Sequence, residues 1–276
     1  MFENKFQKQI SGQKKDKTAA KKAVNIDDRT LACRYELKYH ISESTAEAIS
    51  QFTKPYLSLD RYSKLQRRGF YPIVSLYLDS PGLHLCRETL TGKKNRYKLR
   101  IRSYTDEPEY PRFFEIKRRI NSVIVKSRAR VMEADVAALL KGRPLPPQNF
   151  TSDIDAISQF QMYVRSLQAG PVVLIRYMRK AYEGDSHTRV RVTFDRELAY
   201  KVTNRPEVIL GGGGWHRNPY TSGGVILEIK FTERYPEWLN EMVKYFNLRQ
   251  QSISKYASSI SESCSLRFCA PQFLEQ

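Results

Sequence analysis

The chain is short of acidic residues: 29 Asp and Glu stand against 47 Lys and Arg in 276 positions, a formal net charge of +18. That imbalance excludes a charge-neutral surface and points to an anionic partner, either nucleic acid, a phosphate-rich metabolite or an acidic membrane. Cysteine is scarce too. Cys33, Cys86, Cys264 and Cys269 form no CxxC pair, which signals neither a zinc site nor a disulfide framework and predicts reduced thiols in a cytoplasmic protein. No apolar run approaches the length of a membrane span, and Met1–Asp28 lacks the apolar core of a signal peptide, so a soluble chain is expected. No GxxxxGK[ST] pattern occurs, which excludes a phosphate-cradling P-loop from the glycine run Gly211–Gly214.

What is present is enough apolar material for a sizeable core, 41% of residues, which excludes general disorder. The composition divides the chain into three parts. Residues 1–28 are polar and Lys-rich and read as a disordered basic tail, 29–262 as one folded domain, and 263–276 as a weakly specified C-terminal tail.

Inside the folded part, short segments alternate charged with apolar residues, the period of a strand. The plainest is Arg96-Tyr97-Lys98-Leu99-Arg100-Ile101-Arg102, with four cations on one face and three apolar residues behind them. Further strands are expected over Arg34–Ile41, Tyr71–Asp79, Phe113–Lys117, Val123–Val131, Val172–Arg179, Thr188–Asp195 and Val225–Phe231. Helices are expected from a capping box at Ser44–Glu47, around Leu83–Leu90, over Met132–Lys141, after a cap at Asp153 and after Pro236. Arg61–Arg68 reads as a basic loop, and Asn204–Gly224 as a mobile one.

An antiparallel sheet with one wet face would also alternate, but wet faces usually mix signs and neutral polar residues. Here Lys38, Lys98, Arg100, Arg102, Lys117, Lys126, Arg128, Arg189, Arg191 and Lys230 share their faces with few carboxylates. If the strands curl together, these cations line a groove or barrel that is costly to leave empty, and a polyanion resolves the cost. Arginine forks suit phosphate oxygens. The minority carboxylates Glu36, Glu115 and Glu228 then have two roles open to them, as structural ion-pair partners or as ligands of a divalent metal that bridges phosphates. Glu228, fixed between Leu227 and Ile229, is the preferred ligand, with Glu36 as a second ligand or a base.

The ordered set Arg34–Tyr39, Ser75–Asp79, Lys98–Tyr104, Phe114–Lys117, Arg189–Asp195, Leu227–Lys230 and Ser254-Lys255-Tyr256 resembles the VTC (vacuolar transporter chaperone) domain family, a branch of the CYTH-like or triphosphate tunnel metalloenzyme superfamily. The resemblance implies an α+β fold, an antiparallel eight-stranded tunnel with a cationic lumen and helices packed outside. It also implies Mn²⁺ or Mg²⁺ dependence and polymerisation of polyphosphate from ATP. Carried over by motif, Lys38, Arg100, Arg102, Arg191 and Lys255 are the catalytic phosphate contacts. Lys98, Lys117, Lys126, Arg128, Tyr177, Arg179, Arg189, Lys230 and Ser254 are further phosphate-binding positions. Arg34 stands where the wider superfamily has the first carboxylate of Glu-x-Glu-x-Lys, which weakens a two-metal triphosphatase and favours the VTC branch.

Three activities follow. A phosphotransferase would extend polyphosphate with the γ-phosphate of ATP. A triphosphatase or polyphosphatase would need a carboxylate such as Glu36 to activate water. A non-catalytic subunit would only bind polyphosphate or nucleotide. Specific nucleic-acid binding ranks below these, because Tyr35, Tyr39 and Tyr97 face away from the cations and cannot stack bases beside them. With no SPX-like or membrane-spanning segment, regulation and export would need membrane or regulatory partner proteins.

Overall fold

The computed structural model describes residues 34–121, 123–144, 153–184, 189–221, 223–232 and 235–265; the basic N-terminal tail lies outside them. Eight antiparallel strands form the curled sheet: β1 (Arg34–Ser42), β3 (Tyr71–Asp79), β4 (Arg96–Ser103), β5 (Arg112–Ile120), β6 (Val123–Val131), β7 (Gly170–Glu183), β8 (Arg191–Val202) and β10 (Gly224–Thr232). Their order is β1-β10-β8-β7-β3-β4-β5-β6, with β2 (Ser58–Leu59) attached to β7 and β9 (His216–Arg217) to β8. The ladder runs from β1 to β6, and side chains span the remaining gap: Lys117 Nζ on β5 lies 2.6 Å from Glu36 Oε2 on β1. This is the expected α+β tunnel wall.

Among the described residues seven α-helices accompany the sheet: α1 (Glu43–Thr53), α2 (Arg61–Lys64), α3 (His84–Leu90), α4 (Glu133–Leu140), α5 (Ile154–Leu167), α6 (Glu237–Tyr245) and α7 (Lys255–Ser265). The outward faces of β3 to β6 bury Leu76, Leu99, Ile101, Phe114 and Ile116 beneath α4 and α5, where the rings of Phe114 and Phe160 meet edge to face at 4.8 Å. The outward faces of β1, β8 and β10 bury Tyr39, Val192, Phe194, Leu227 and Ile229 beneath α1 and α6. Alternation thus sends apolar residues out to the helices and charge inward.

Several local expectations are corrected. Helix α1 is capped by Ser42, whose Oγ accepts from Thr45 N at 3.0 Å, not by Ser44. Asp153 occupies the cap position of α5 without a side-chain capping bond; its carboxylate accepts from Arg130 N and Nε, both at 2.8 Å. The basic loop after Asp60 contains α2, and Lys255–Ser265, where no element was expected, forms α7, which runs three residues into the tail expected from 263. Cys86 is a free, buried thiol, but Cys264 is disulfide-bonded, against the expectation of reduced thiols throughout.

Helix α7 also changes what the inner face looks like. Tyr256, Ala257 and Ile260 pack against Tyr77, Val173, Ile175, Leu198, Tyr200 and Ile226 on the concave side of the sheet. Tyr256 stacks on Tyr77 at 4.8 Å and donates its hydroxyl to Asp79 Oδ2 at 2.6 Å. Asp79 in turn accepts from Leu85 N and Cys86 N at the start of α3, both at 2.9 Å. One buried carboxylate therefore ties strand β3, helix α3 and helix α7 together.

Candidate functional site

The register sets one row of charged side chains across three strands. Glu36, Lys230 and Arg191 are neighbours along one line, and Lys38, Glu228 and Thr193 along the next. Lys38 Nζ lies 3.0 Å from Glu36 Oε1, and Lys230 Nζ 2.5 Å from Glu228 Oε1. Lys38 also donates to the Ile253 carbonyl at 2.9 Å. Burial and the Glu228 charge push the Glu36 carboxyl up, but Lys38, Lys117 and Lys230 outweigh them and hold it at about 2. Burial likewise opposes ionisation of Glu228, and Lys230, Lys38, Lys117 and Lys255 hold it well below the usual carboxylate range. Burial brings Lys117 down to about 8 despite Glu36. Thr193 Oγ1, beside Glu228, is buried with no hydrogen-bond partner among the described residues.

A second cluster centres on Glu115, which is fully buried on β5. Arg100 Nε and Nη2 both reach Glu115 Oε2 at 2.7 Å, and Arg102 Nη1 lies 3.9 Å away. Lys126 Nζ at 2.7 Å and Arg128 Nε at 3.1 Å approach Oε1. Burial opposes ionisation of Glu115, but the four cations hold its pKa well below the ordinary value. Burial drives Lys126 down to about 7; Glu115 resists this, while Arg102, Arg100 and Arg128 add to it. Arg100 Nη1 donates to Tyr77 OH at 3.2 Å, and Arg102 to Ser75 Oγ at 3.4 Å and Tyr177 OH at 3.5 Å.

The third cluster is Asp195, held by a two-pronged Arg179 (2.6 and 2.7 Å) and by Lys255 Nζ at 2.7 Å. Burial opposes its ionisation, but Arg179 and Lys255 keep it at about 2. Both cations lie over the Tyr177 ring, at 5.3 and 5.1 Å. Arg191 is held by Asp60 and Glu183, at 2.6 and 2.8 Å, and Lys98 Nζ donates to Ser254 Oγ at 2.7 Å.

The structure thus brings together fifteen of the sixteen positions named from sequence, on the inward faces or at the start of α7. Arg189 is the exception: it precedes β8, exposed, with φ of 40°, so strand alternation does not carry it into line with Arg191. Sequence reasoning missed Asp60, the oriented hydroxyls of Tyr77 and Tyr104, and Thr193. Asp60 and Tyr77 come from elements with no cationic pattern, and Thr193 was hidden among the charges of its own strand.

Eleven cations (Lys38, Lys98, Arg100, Arg102, Lys117, Lys126, Arg128, Arg179, Arg191, Lys230 and Lys255) surround six carboxylates (Glu36, Asp60, Glu115, Glu183, Asp195 and Glu228) on or beside the inward face. The excess of positive charge in a low-dielectric enclosure calls for a polyanion. A family model described as the VTC domain matches residues 33–263. The chain belongs to the VTC domain family.

No curated protein sequence matches this VTC-domain chain. Among solved structures it is similar to a candidate adenylate cyclase from Bacillus halodurans, at 14% identity and a TM-score of 0.44, covering 81% of this chain and 94% of that one. It is also similar to a Pyrococcus horikoshii protein, at 11% identity and a TM-score of 0.42, covering 83% and 99%. At that level of likeness neither structure says anything further about the chain. No described helix is long and apolar enough to cross a membrane.

Proposed function

We propose that this VTC-domain protein is a polyphosphate polymerase, a metal-dependent polyphosphate:ADP phosphotransferase that adds the γ-phosphate of ATP to a growing chain. The observation that carries the reading is the eleven-to-six excess of cations over carboxylates on one enclosed face. The ATP triphosphate lies among Arg100, Arg102, Arg179, Arg191 and Lys255, with Lys126 and Arg128 continuing the contact. A terminal oxygen of the chain attacks the γ-phosphorus in line. A new P–O bond forms, the bond from the γ-phosphorus to the β-bridging oxygen breaks, and ADP leaves with the electron pair. Phosphate oxygens are ionised at neutral pH, so the residues need only position the groups and neutralise developing charge.

The chain's oxygen donors fit a divalent cation. Glu228 and Glu36 repel one another, and Thr193 offers a buried, unpartnered oxygen beside them. Among the described residues no group of three His, Cys, Asp or Glu converges, so a divalent cation here would take one or two carboxylates and complete its shell from phosphates and water. Mn²⁺ or Mg²⁺ held there would offset charge on the phosphate oxygens.

Transfer is favoured over hydrolysis because both oxygens of Glu36 are engaged, by Lys38 at 3.0 Å and Lys117 at 2.6 Å, which leaves it poorly placed to activate water. We place the reaction in the cytoplasm, the source of ATP, with any export or regulation supplied by partner proteins. The test is incubation with ATP and Mn²⁺, reading chain length on a gel for the wild type, Glu228→Ala and Arg100→Ala. A metal-dependent polyphosphate ladder lost in both variants is expected. Stoichiometric phosphate release without a ladder would overturn the polymerase in favour of a hydrolase.

A further inference from the structure

The cationic face does not stop at the three clusters. Where β4 and β5 run on toward their free ends, the register sets Lys98 opposite Lys117 and Arg96 opposite Arg119. Like charges directly opposite each other on neighbouring strands are destabilising. Arg96 and Arg119 form no ion pair among the described residues; each donates to a backbone carbonyl, of Lys93 and Asn121 respectively. Lys98 donates to the Ser254 hydroxyl and not to a carboxylate. Arg96 and Arg119 therefore carry charge that no described carboxylate pairs with, and burial, with Lys38, Lys117 and Arg96 nearby, holds the Lys98 amine well below its ordinary value, so that an anion beside it would favour its charged form.

They border a cavity of about 1130 Å³ that begins at Glu36, Lys38 and Lys117 and extends along α7. A single drug-sized ligand occupies a pocket of roughly 300–1,000 Å³, so the space exceeds what one triphosphate needs. Its far wall is the helix. Ser254, Ser258, Ser261 and Ser265 line it, at spacings of four, three and four that place them on one helical face. The opposite face of α7 carries Tyr256 and Ile260 and is buried against the sheet. The cavity thus has cations on one side and, on the other, a row of neutral hydroxyls with one carboxylate, Glu262, at its edge.

We propose that this cavity is a second binding site, for the part of a polyphosphate chain that lies beyond the reacting segment, with Arg96, Lys98 and Arg119 facing the chain and the hydroxyls of α7 as the surface it slides on. The inference rests on the polyphosphate reading and adds a direction to it: the chain leaves the three clusters along α7. Cations on every side would hold each phosphate in one place, because each adds a charge–charge attraction that a neutral hydroxyl lacks. A hydroxyl wall keeps contact with the phosphate oxygens and lets the register change as the chain grows.

The experiment measures binding of tripolyphosphate and of long-chain polyphosphate to the full chain, in the wild type, Arg119→Glu and Ser261→Asp. Both positions are exposed, and matching unfolding temperatures show that the variants fold. A longer chain gains affinity statistically, so the variants decide the matter. Expected is a loss of about tenfold or more for the long chain in each variant, from one or two contacts that involve charge, with tripolyphosphate affinity changed less than about twofold. Equal losses for both ligands, or no loss for either, would overturn the second site while the tunnel reading stands. Competition by single-stranded DNA as effective as polyphosphate would overturn its assignment to a phosphate chain. No binding of either ligand by the wild type would overturn the polyphosphate reading and this inference together.

Discussion

Replacing Glu115 by Gln keeps the side chain's shape and removes the one negative charge that Arg100, Arg102, Lys126 and Arg128 share. Breaking a buried pair from one side costs about 3–5 kcal/mol because the partner charge is left uncompensated. Lys126 and Arg128 are 40% and 36% exposed and recover hydration; Arg100 and Arg102, at 16% and 8%, do not. The expected loss is therefore near the lower end, about 3 kcal/mol, or roughly 6–12 °C in Tm. The same substitution frees the arginines for phosphate, since in the wild type a bound chain must compete with Glu115. The variant should bind tripolyphosphate more tightly and gain more from it: a ligand at one hundred times its Kd adds about 2.7 kcal/mol. Thermal unfolding with and without tripolyphosphate reads both effects. A variant as stable as the wild type would refute the claim that Glu115 holds the cluster together. A smaller gain from tripolyphosphate than in the wild type would refute the claim that these cations face the phosphates.

Asp79→Asn should cost about 2–4 kcal/mol in urea unfolding: the amide cannot accept from Leu85 N, Cys86 N and Tyr256 OH together, and it brings a donor into a ring of donors. The loss should be accompanied by faster proteolysis within α7, and a change under about 1 kcal/mol would mean that Asp79 does not hold that helix. Lys126, held at about 7, is largely neutral at pH 8 and regains its proton when a polyanion arrives. Tripolyphosphate binding at pH 8 should take up roughly one proton at Lys126 and part of another at Lys117, held at about 8, and uptake should shrink as pH falls through 7 to 6, where both lysines are already charged. Calorimetry in buffers of different ionisation enthalpy reads the uptake. Lys126→Met should lose most of the uptake, and uptake undiminished in that variant would show that Lys126 is not the titrating group.

The VTC-type strands were legible in the sequence because a period of two is a property of the chain itself. Arg96–Arg102 and Val123–Val131 need no partner to show which residues share a face, and an excess of cations on those faces already implies an anion. Tertiary structure decided what alternation cannot reach. An extra residue in β8, opposite the Arg176–Met178 step and with Glu197 at φ of 53°, reverses the facing of the strand. Before it, alternation carries Asp195 inward on Arg179 and Arg196 outward on Glu43 at 2.7 Å; beyond it, Leu198 and Tyr200 face inward, where unbroken alternation would have turned them out. A bulge of this kind is set by pairing with the neighbouring strand, not by the order of residue types. The conformation of Arg189 ends the strand pattern before it reaches that residue. Asp153 lies within bonding reach of Arg130 only once α5 packs on β6. Helix α7 was hidden for a related reason: its serines weaken the local helical signal, and its apolar stripe of Tyr256 and Ile260 has meaning only against the concave side of the sheet. The charges that line the enclosure can be read one strand at a time; which of them meet, and around what space, depends on the curl that brings distant strands together.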